Sequence, residues 1–348
     1  MDFEKIKKFL TDYDGPQMNI MEVCGSHTAA IAKNGIPGIL SKNIRLLSGP
    51  GCPVCVTPTS YIDKLLELAG DLQNCIVTFG DLLRVPGSEK SLQEIRGEGA
   101  HVEMVYSPLD LLTLAGKNPD TNYIFAAVGF ETTTPVYALL MEQLAEKKMK
   151  NVKLLTALKT MPEAITYLCE GGAQIDGFLA PGHVSVVTGS RIFEPIAKKY
   201  GIPFGVSGFG GEELLVALCG IVKAYQQGKV MNFYPSVVTE TGNEKAQALI
   251  SKYFEPCDAT WRGMGKIPGS GRVLRKEYEY FDAGSRGLDD DKKKNAACHC
   301  DEVLMGKIRP TQCPLYGKVC TPMTPQGACM VSTEGSCFSY FANKRNDK

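Results

Sequence analysis

The chain has 348 residues, and its 38 lysines and arginines balance 38 aspartates and glutamates, so its formal net charge is zero. With 44% hydrophobic and 22% charged residues, it has the composition of a globular protein large enough for two or three domains. The neutral balance argues against an electrostatic nucleic-acid or anionic-membrane binder, and no apolar run approaches the roughly 18 residues of a membrane span.

The first ten residues, from Met1 to Leu10, carry the pattern of a charged amphipathic helix. They lack the apolar stretch and small-residue cleavage site of a secretory signal. Residues 1–20 are therefore read as an N-terminal helical segment, and a cytoplasmic location is expected. In a reducing compartment clustered cysteines are more often ligands or catalysts than staples. Thirteen cysteines are also an odd number, which cannot pair completely within one chain.

Residues 21–120 read as a first α/β lobe. A strand-like run ends in Met21-Glu22-Val23-Cys24-Gly25-Ser26-His27-Thr28. A thiol beside an imidazole can become a thiolate, both nucleophile and soft-metal ligand; the plainer alternative is a buried cysteine beside a satisfied histidine. A second strand pattern, Asn43 to Ser48, leads into Gly49-Pro50-Gly51-Cys52-Pro53-Val54-Cys55. The helical pattern that follows predicts that Cys52 lies near a helix N-terminus, where the dipole favours thiolate. The C-x-x-C spacing suits either a reversible disulfide or half of a zinc site. No second C-x-x-C is present, which excludes a zinc ribbon built from two such arms. Further strand patterns run from Cys75 to Gly80 and from Val102 to Tyr106.

Residues 121–240 read as a second lobe. Gly129-Phe130-Glu131-Thr132-Thr133-Thr134-Pro135 and Ala180-Pro181-Gly182-His183-Val184-Ser185 both follow apolar strand patterns, the end of a parallel sheet where ligands bind. A threonine run before a helix is commonly a cap, and Glu131 suits a first-turn carboxylate. Segment 151–218 loosely repeats 43–115: Asn151 to Thr156 parallels Asn43 to Ser48, Ile175 to Ala180 parallels Cys75 to Gly80, and Phe204 to Ser207 parallels Val102 to Tyr106. Short apolar strands alternating with helical patterns argue for parallel sheets. Two copies predict two similar parallel-sheet α/β lobes facing each other across a cleft.

Residues 241–348 form a cysteine-rich region without regular apolar periodicity. Within it, Leu288 to Lys294 is a charged run expected to be solvated. Cys298, Cys313, Cys320 and Cys337 are spaced C-x14-C-x6-C-x16-C, with Cys300 and Cys329 as neighbours. Thiolate-only sets hold iron–sulfur clusters or structural zinc. Long uneven spacings and Cys313-Pro314 suit a four-iron cluster better, and such a group would supply folding energy to a segment with little core of its own. His299 reads as a bystander. No Walker-type loop is present, which argues against a P-loop nucleotide site.

Taken together and in order, the Cys24, C-x-x-C, Glu131 and His183 motifs and the C-terminal cysteine array resemble the hydrogenase maturation factor HypD family over essentially the whole chain. The resemblance implies a scaffold and redox participant for assembling the Fe(CN)2CO group of nickel–iron hydrogenases. It implies a small HypC-type chaperone as partner and HypE, with HypF, as cyanide donor. On the same resemblance Cys24 binds the transient iron, Cys52 and Cys55 form a redox-active thiol pair, and Cys298, Cys313, Cys320 and Cys337 hold a 4Fe–4S cluster that exchanges electrons with that pair. His27, Glu131 and His183 would line the cleft. Two departures stand out: Ser26 replaces a usual threonine, and Gly208-Phe209-Gly210-Gly211-Glu212-Glu213 stands where the family carries Gly-Phe-Glu-Pro, so that site is not carried over. An iron–sulfur-linked thiol–disulfide oxidoreductase and a zinc-stabilised binding module are the rival readings. Electron exchange requires that the C-x-x-C pair and the C-terminal cysteines meet in the fold.

Overall fold

A computed structural model describes residues 2–292 and 295–343. The N-terminal amphipathic pattern forms helix α1 (Phe3–Thr11), whose first turn is capped by the Asp2 carboxylate accepting from the Lys5 amide. A first run of strands and helices follows: β1 (Met18–Glu22), α2 (Gly25–Lys33), β2 (Ile44–Ser48), α3 (Thr59–Ala69), β3 (Asn74–Thr78), β4 (Val102–Met104) and α4 (Asp110–Lys117). A second run has the same plan: β5 (Asn122–Gly129), α5 (Thr134–Glu146), β6 (Val152–Lys159), α6 (Met161–Glu170), β7 (Gly177–Pro181), β8 (Phe204–Ser207) and α7 (Gly211–Lys223). The chain then adds β9 (Val230–Asn232), a hairpin of β10 (Phe254–Trp261) and β11 (Gly265–Leu274), and a C-terminal helix α8 (Ser336–Ala342).

The strands form two mostly parallel sheets, ordered β2-β1-β7-β8-β9 and β10-β11-β6-β5-β3-β4, in which only β11 runs antiparallel to its neighbours β10 and β6. The expected α/β architecture is present. The repeat over 43–115 and 151–218 coincides with β2 through α4 and β6 through α7, but the repeat unit is not the lobe. Each run leaves one sheet after its second strand and enters the other, so β2-β1-β7-β8 in one sheet matches β6-β5-β3-β4 in the other. Boundaries at 120 and 240 therefore cut across both sheets. They rest on the tendency of successive strands to be neighbours, which this chain breaks once in each run.

Buried runs such as Tyr123–Gly129 and Gly177–Pro181 are those of parallel strands covered on both faces. One core cluster joins Met21, Phe178 and Val206 of the first sheet to Met161 on α6, to Trp261 and Ile267 of the hairpin, to Cys52 and Cys55, and to Cys298, Cys300, Cys320, Cys329 and Cys337. Trp261 is fully buried, stacks on Phe130 with centroids 5.8 Å apart, and donates its indole N–H to Ser270 Oγ at 2.8 Å.

The charged run after Leu288 is tied down where full solvation was expected. Asp289 accepts from Thr260 Oγ1 and Lys266 Nζ, while Asp291 accepts from the Thr59 amide and hydroxyl and from the Gly263 amide. Thr59 opens α3, so Asp291 satisfies donors that the helix itself leaves unpaired. The last two residues of that run, Lys293 and Lys294, lie outside the described residues. Among the described residues, no helix is long and apolar enough to cross a membrane.

Candidate functional site

β1 ends at Glu22 and α2 begins at Gly25, which makes Cys24 the N-cap residue, in an extended conformation (φ −148°, ψ 119°). Its amide donates to Glu22 Oε2 at 3.0 Å, and the Thr28 hydroxyl donates to the other oxygen of that carboxylate. Burial pushes the Glu22 carboxyl up to about 7 despite these donors. The loop after β2 lies directly against this turn. The Gly25 amide donates to Gly51 O at 2.9 Å and the Gly49 amide to Glu22 O at 2.8 Å. A Cβ at Gly51 would sit 2.3 Å from Cys24 N and 2.6 Å from its Cα, an approach only glycine permits.

Cys52 and Cys55 are joined as a disulfide with Cα atoms 5.2 Å apart, and both are buried. The expected placement of Cys52 at a helix N-terminus is not found. A separate turn intervenes, closed by the Val56 amide on Cys52 O (3.2 Å) and the Thr57 hydroxyl on Pro53 O (2.8 Å), and α3 begins only at Thr59.

The expected thiol–imidazole pair is also not formed. His27 is completely buried, with Nε2 3.3 Å from Ser207 O and 3.1 Å from Gly208 O at the end of β8. Two carbonyl partners require a proton on Nε2, and burial holds the ring neutral by lowering its pKa to about 4. Its Nδ1 is thus a bare acceptor with no hydrogen-bond partner among the described residues. Burial, with no imidazolium to oppose it, pushes the Cys24 thiol up to about 12; the His27 and Ser26 amides favour the thiolate but are outweighed.

Six cysteines, Cys298, Cys300, Cys313, Cys320, Cys329 and Cys337, line one small pocket with Tyr316, Gly327 and Met330. The four expected positions are all present, and Cys300 and Cys329 join them as equals. Thiol hydrogen bonds from Cys298 and Cys329 hold the Cys300 thiol well below its ordinary range and raise both partners. Among the described residues, no three His, Cys, Asp or Glu side chains are gathered as a single-ion site; the sulfurs instead surround a pocket. An all-sulfur donor set of this kind fits an iron–sulfur cluster or thiolate-bound zinc.

The C-terminal segment brings the two cysteine groups together. Cys55 Sγ lies 3.8 Å from the carbonyl of Ala328, whose neighbour Cys329 is in the pocket wall. Six residues further on, Ser26 Oγ donates to Glu334 Oε1 at 3.0 Å, and Gly25 is so close that a Cβ there would meet Glu334 Cβ at 2.4 Å. The C-x-x-C pair thus lies against the segment that carries Cys329.

The other expected residues lie at sheet ends. His183 is the second residue of the helix after β7 (Gly182–Thr188) and stacks on Phe209 with centroids 4.0 Å apart; His27 packs on the same ring at 4.8 Å. Sequence reasoning missed Phe209 because the departure that begins just after it, at Gly210, kept the whole segment from being carried over. Glu131 caps α6 from the loop after β5, its Oε1 accepting from the Met161 amide at 2.8 Å. Burial, aided by nearby Glu163, raises its pKa to about 7. Glu22 and Glu334 were also missed; Glu22 lay inside the quoted motif with nothing to separate it from a strand-end residue.

Fold and site define a thiol-rich α/β protein in which an N-capping cysteine, a buried disulfide and a six-cysteine pocket adjoin one another. The chain matches the HypD family model, described as "Hydrogenase formation hypA family", over residues 2–344, and it belongs to that family. It is 41% identical to the hydrogenase maturation factor HypD of Azotobacter vinelandii, over 94% of this chain and 90% of the relative. It is 39% identical to HypD of Cupriavidus necator (95% and 91% covered) and 40% identical to HypD of Rhodobacter capsulatus (93% and 89%).

Proposed function

We propose that this protein takes part in hydrogenase maturation as scaffold and redox participant for the Fe(CN)2CO iron of a nickel–iron hydrogenase. The observation that carries the reading is the packing of three cysteine-bearing segments: the backbone of Cys24 against Gly51 of the disulfide loop, and Cys55 against the Ala328–Cys329 segment. Cys24 is the residue that takes the iron under assembly. Its thiol is protonated while buried without metal, so binding iron releases a proton, and the Ser26 and His27 amides then favour the bound thiolate. Thiolate is a suitable soft donor to an electron-rich iron centre.

Cys298, Cys313, Cys320 and Cys337, with Cys300 and Cys329 beside them, would hold a 4Fe–4S cluster, which supplies electrons singly. The Cys52–Cys55 disulfide takes up two electrons and two protons to become a dithiol, or returns them on reoxidation. His27, its Nε2 proton fixed on two carbonyls, offers Nδ1 as an acceptor beside the Cys24 turn. The partners of this reading are a HypC-type chaperone and HypE with HypF as cyanide donor, all in the cytoplasm.

The same contact between disulfide and cysteine pocket also favours the second reading, an iron–sulfur-linked thiol–disulfide oxidoreductase, in which Cys24 has no part. Cys24→Ala separates the two. In the scaffold reading, the variant purified without oxygen keeps the iron and acid-labile sulfide of the wild type. It lacks infrared bands of iron-bound cyanide and carbon monoxide and fails to mature hydrogenase. A Cys24→Ala variant that still matures hydrogenase overturns it.

A further inference from the structure

A second cavity, of about 330 Å³, lies apart from the six-cysteine pocket and the disulfide, between the end of β6, the β10–β11 hairpin and residues 285–289, with Cys257 in its wall. Its wall carries four cationic side chains, Lys159, Lys266, Arg272 and Arg286, against two carboxylates, Asp258 and Asp289. Two of the cations are already matched: Lys266 with Asp289 at 2.9 Å, and Arg286 with Glu255 at 3.1 Å. Asp258 is engaged by the Gly269 amide at 3.0 Å. The other two cations, Lys159 and Arg272, form no ion pair among the described residues, although Arg272 acts at longer range on the Glu131 carboxyl. Lys159 is only 2% exposed; its ammonium donates to Thr260 O at 2.7 Å and lies 5.5 Å from the Trp261 ring centre. Thr156, also in the wall, has a buried hydroxyl with no partner.

A buried ammonium without a counter-ion is costly, and here burial drags Lys159 down to about 7, opposed only by Cys257, in the same cavity wall, and by Asp291. Lysine and arginine converging with a hydroxyl on a cavity of this size are the means by which proteins recognise small oxyanions. We infer that this cavity is a binding site for a small dianionic molecule, a phosphate ester or a dicarboxylate, held by Lys159 and Arg272. The site abuts Pro58 and Tyr61 at the start of α3, three residues beyond Cys55, so its occupant would touch the element that anchors the disulfide turn.

The test is calorimetric titration of the full chain with inorganic phosphate and, separately, with malonate. One saturable site per chain is expected for at least one probe, and the tighter of the two tells a phosphate-bearing ligand from a dicarboxylate. Arg272→Gln and Lys159→Met should each weaken it roughly ten- to hundredfold, the loss of a charge-assisted hydrogen bond. Arg191→Gln, on the exposed Arg191–Glu240 pair, should leave it unchanged. If Lys159→Met does not fold, Arg272→Gln on the cavity wall decides. Absence of saturable binding tighter than about 1 mM for both probes, or equal affinity in Arg272→Gln and wild type, overturns the assignment.

Discussion

Replacing Gly51 by alanine tests the contact on which the site rests. The new Cβ would fall 2.3 Å from Cys24 N, 2.6 Å from its Cα and 2.7 Å from its carbonyl carbon. All three are backbone atoms, so no side chain can turn away to make room. Either the turn at Cys24 or the loop carrying Cys52 must move, and the 2.9 Å bond from the Gly25 amide to Gly51 O is stretched or lost. Overpacking of this kind costs about 1–3 kcal/mol, and the hydrogen bond adds about 1 kcal/mol. Gly51→Ala should therefore destabilise the protein by about 2–4 kcal/mol and separate Cys24 from the disulfide loop. Gly116→Ala in α4, where a Cβ meets nothing within 4 Å, is the control. It should be neutral or stabilising by up to about 1 kcal/mol, because alanine favours a helix over glycine. The assay is the urea midpoint of both variants, with hydrogenase maturation measured in parallel. A Gly51→Ala protein as stable as wild type would refute the reasoning that the two loops are locked by backbone contact.

Glu131→Gln keeps an acceptor for the Met161 amide but removes the titrating proton. The wild-type carboxyl, raised to about 7 from an ordinary 4.5, holds more protons folded than unfolded between those values, so its contribution to stability falls as pH rises through that window. The stability of wild type relative to Glu131→Gln should accordingly decline from pH 5 to pH 8 in urea unfolding, and a difference that does not change with pH would contradict the raised value. Tyr61→Phe removes a buried hydroxyl that donates to Leu155 O at 2.8 Å, with an expected loss of about 1 kcal/mol by the same assay. A variant as stable as wild type would mean that this bond contributes nothing net.

The loops were legible because their chemistry is local. Glycine and proline mark the Gly49–Cys55 turn, and the apolar runs before Cys24, Glu131 and His183 mark strand ends. The repeat was legible for the same reason, since each strand–helix pattern is written within a few tens of residues. The choice of sheet was not, because a buried parallel strand carries no record of its neighbour: β1 pairs with β7, from Ile20 opposite Gly177 to Glu22 opposite Leu179, although the whole of β3 to β6 lies between them in the chain. Which of the two readings holds for His27 was not legible on the same account. Three residues from Cys24 on one turn, it looks like a partner for the thiol, yet the sheet sets the end of β8 beside it and the Ser207 and Gly208 carbonyls take its proton-bearing nitrogen. Spacing likewise could not rank Cys300 and Cys329 against the other four, because membership of the pocket depends on how the irregular segment from 298 to 337 folds back.

The order of strands carries the argument one step further. β1 and β2 hold in the first sheet the places that β5 and β6 hold in the second, so the loop with Cys24 and the loop with Glu131 are counterparts, as are the loop with the disulfide and the end of β6. The two copies keep the position and exchange the chemistry. The first presents sulfur at both strand ends; the second presents Glu131 and Lys159, a buried acid and a buried base both brought to about 7 by desolvation. Cys52, Cys55, Phe130 and Met161 share one core cluster, so the residues flanking Glu131 and its helix pack in the same body as the disulfide. The repeat thus keeps the frame and varies what stands at these strand ends, with Cys24 and the Cys52–Cys55 disulfide in one copy and Glu131 and Lys159 in the other.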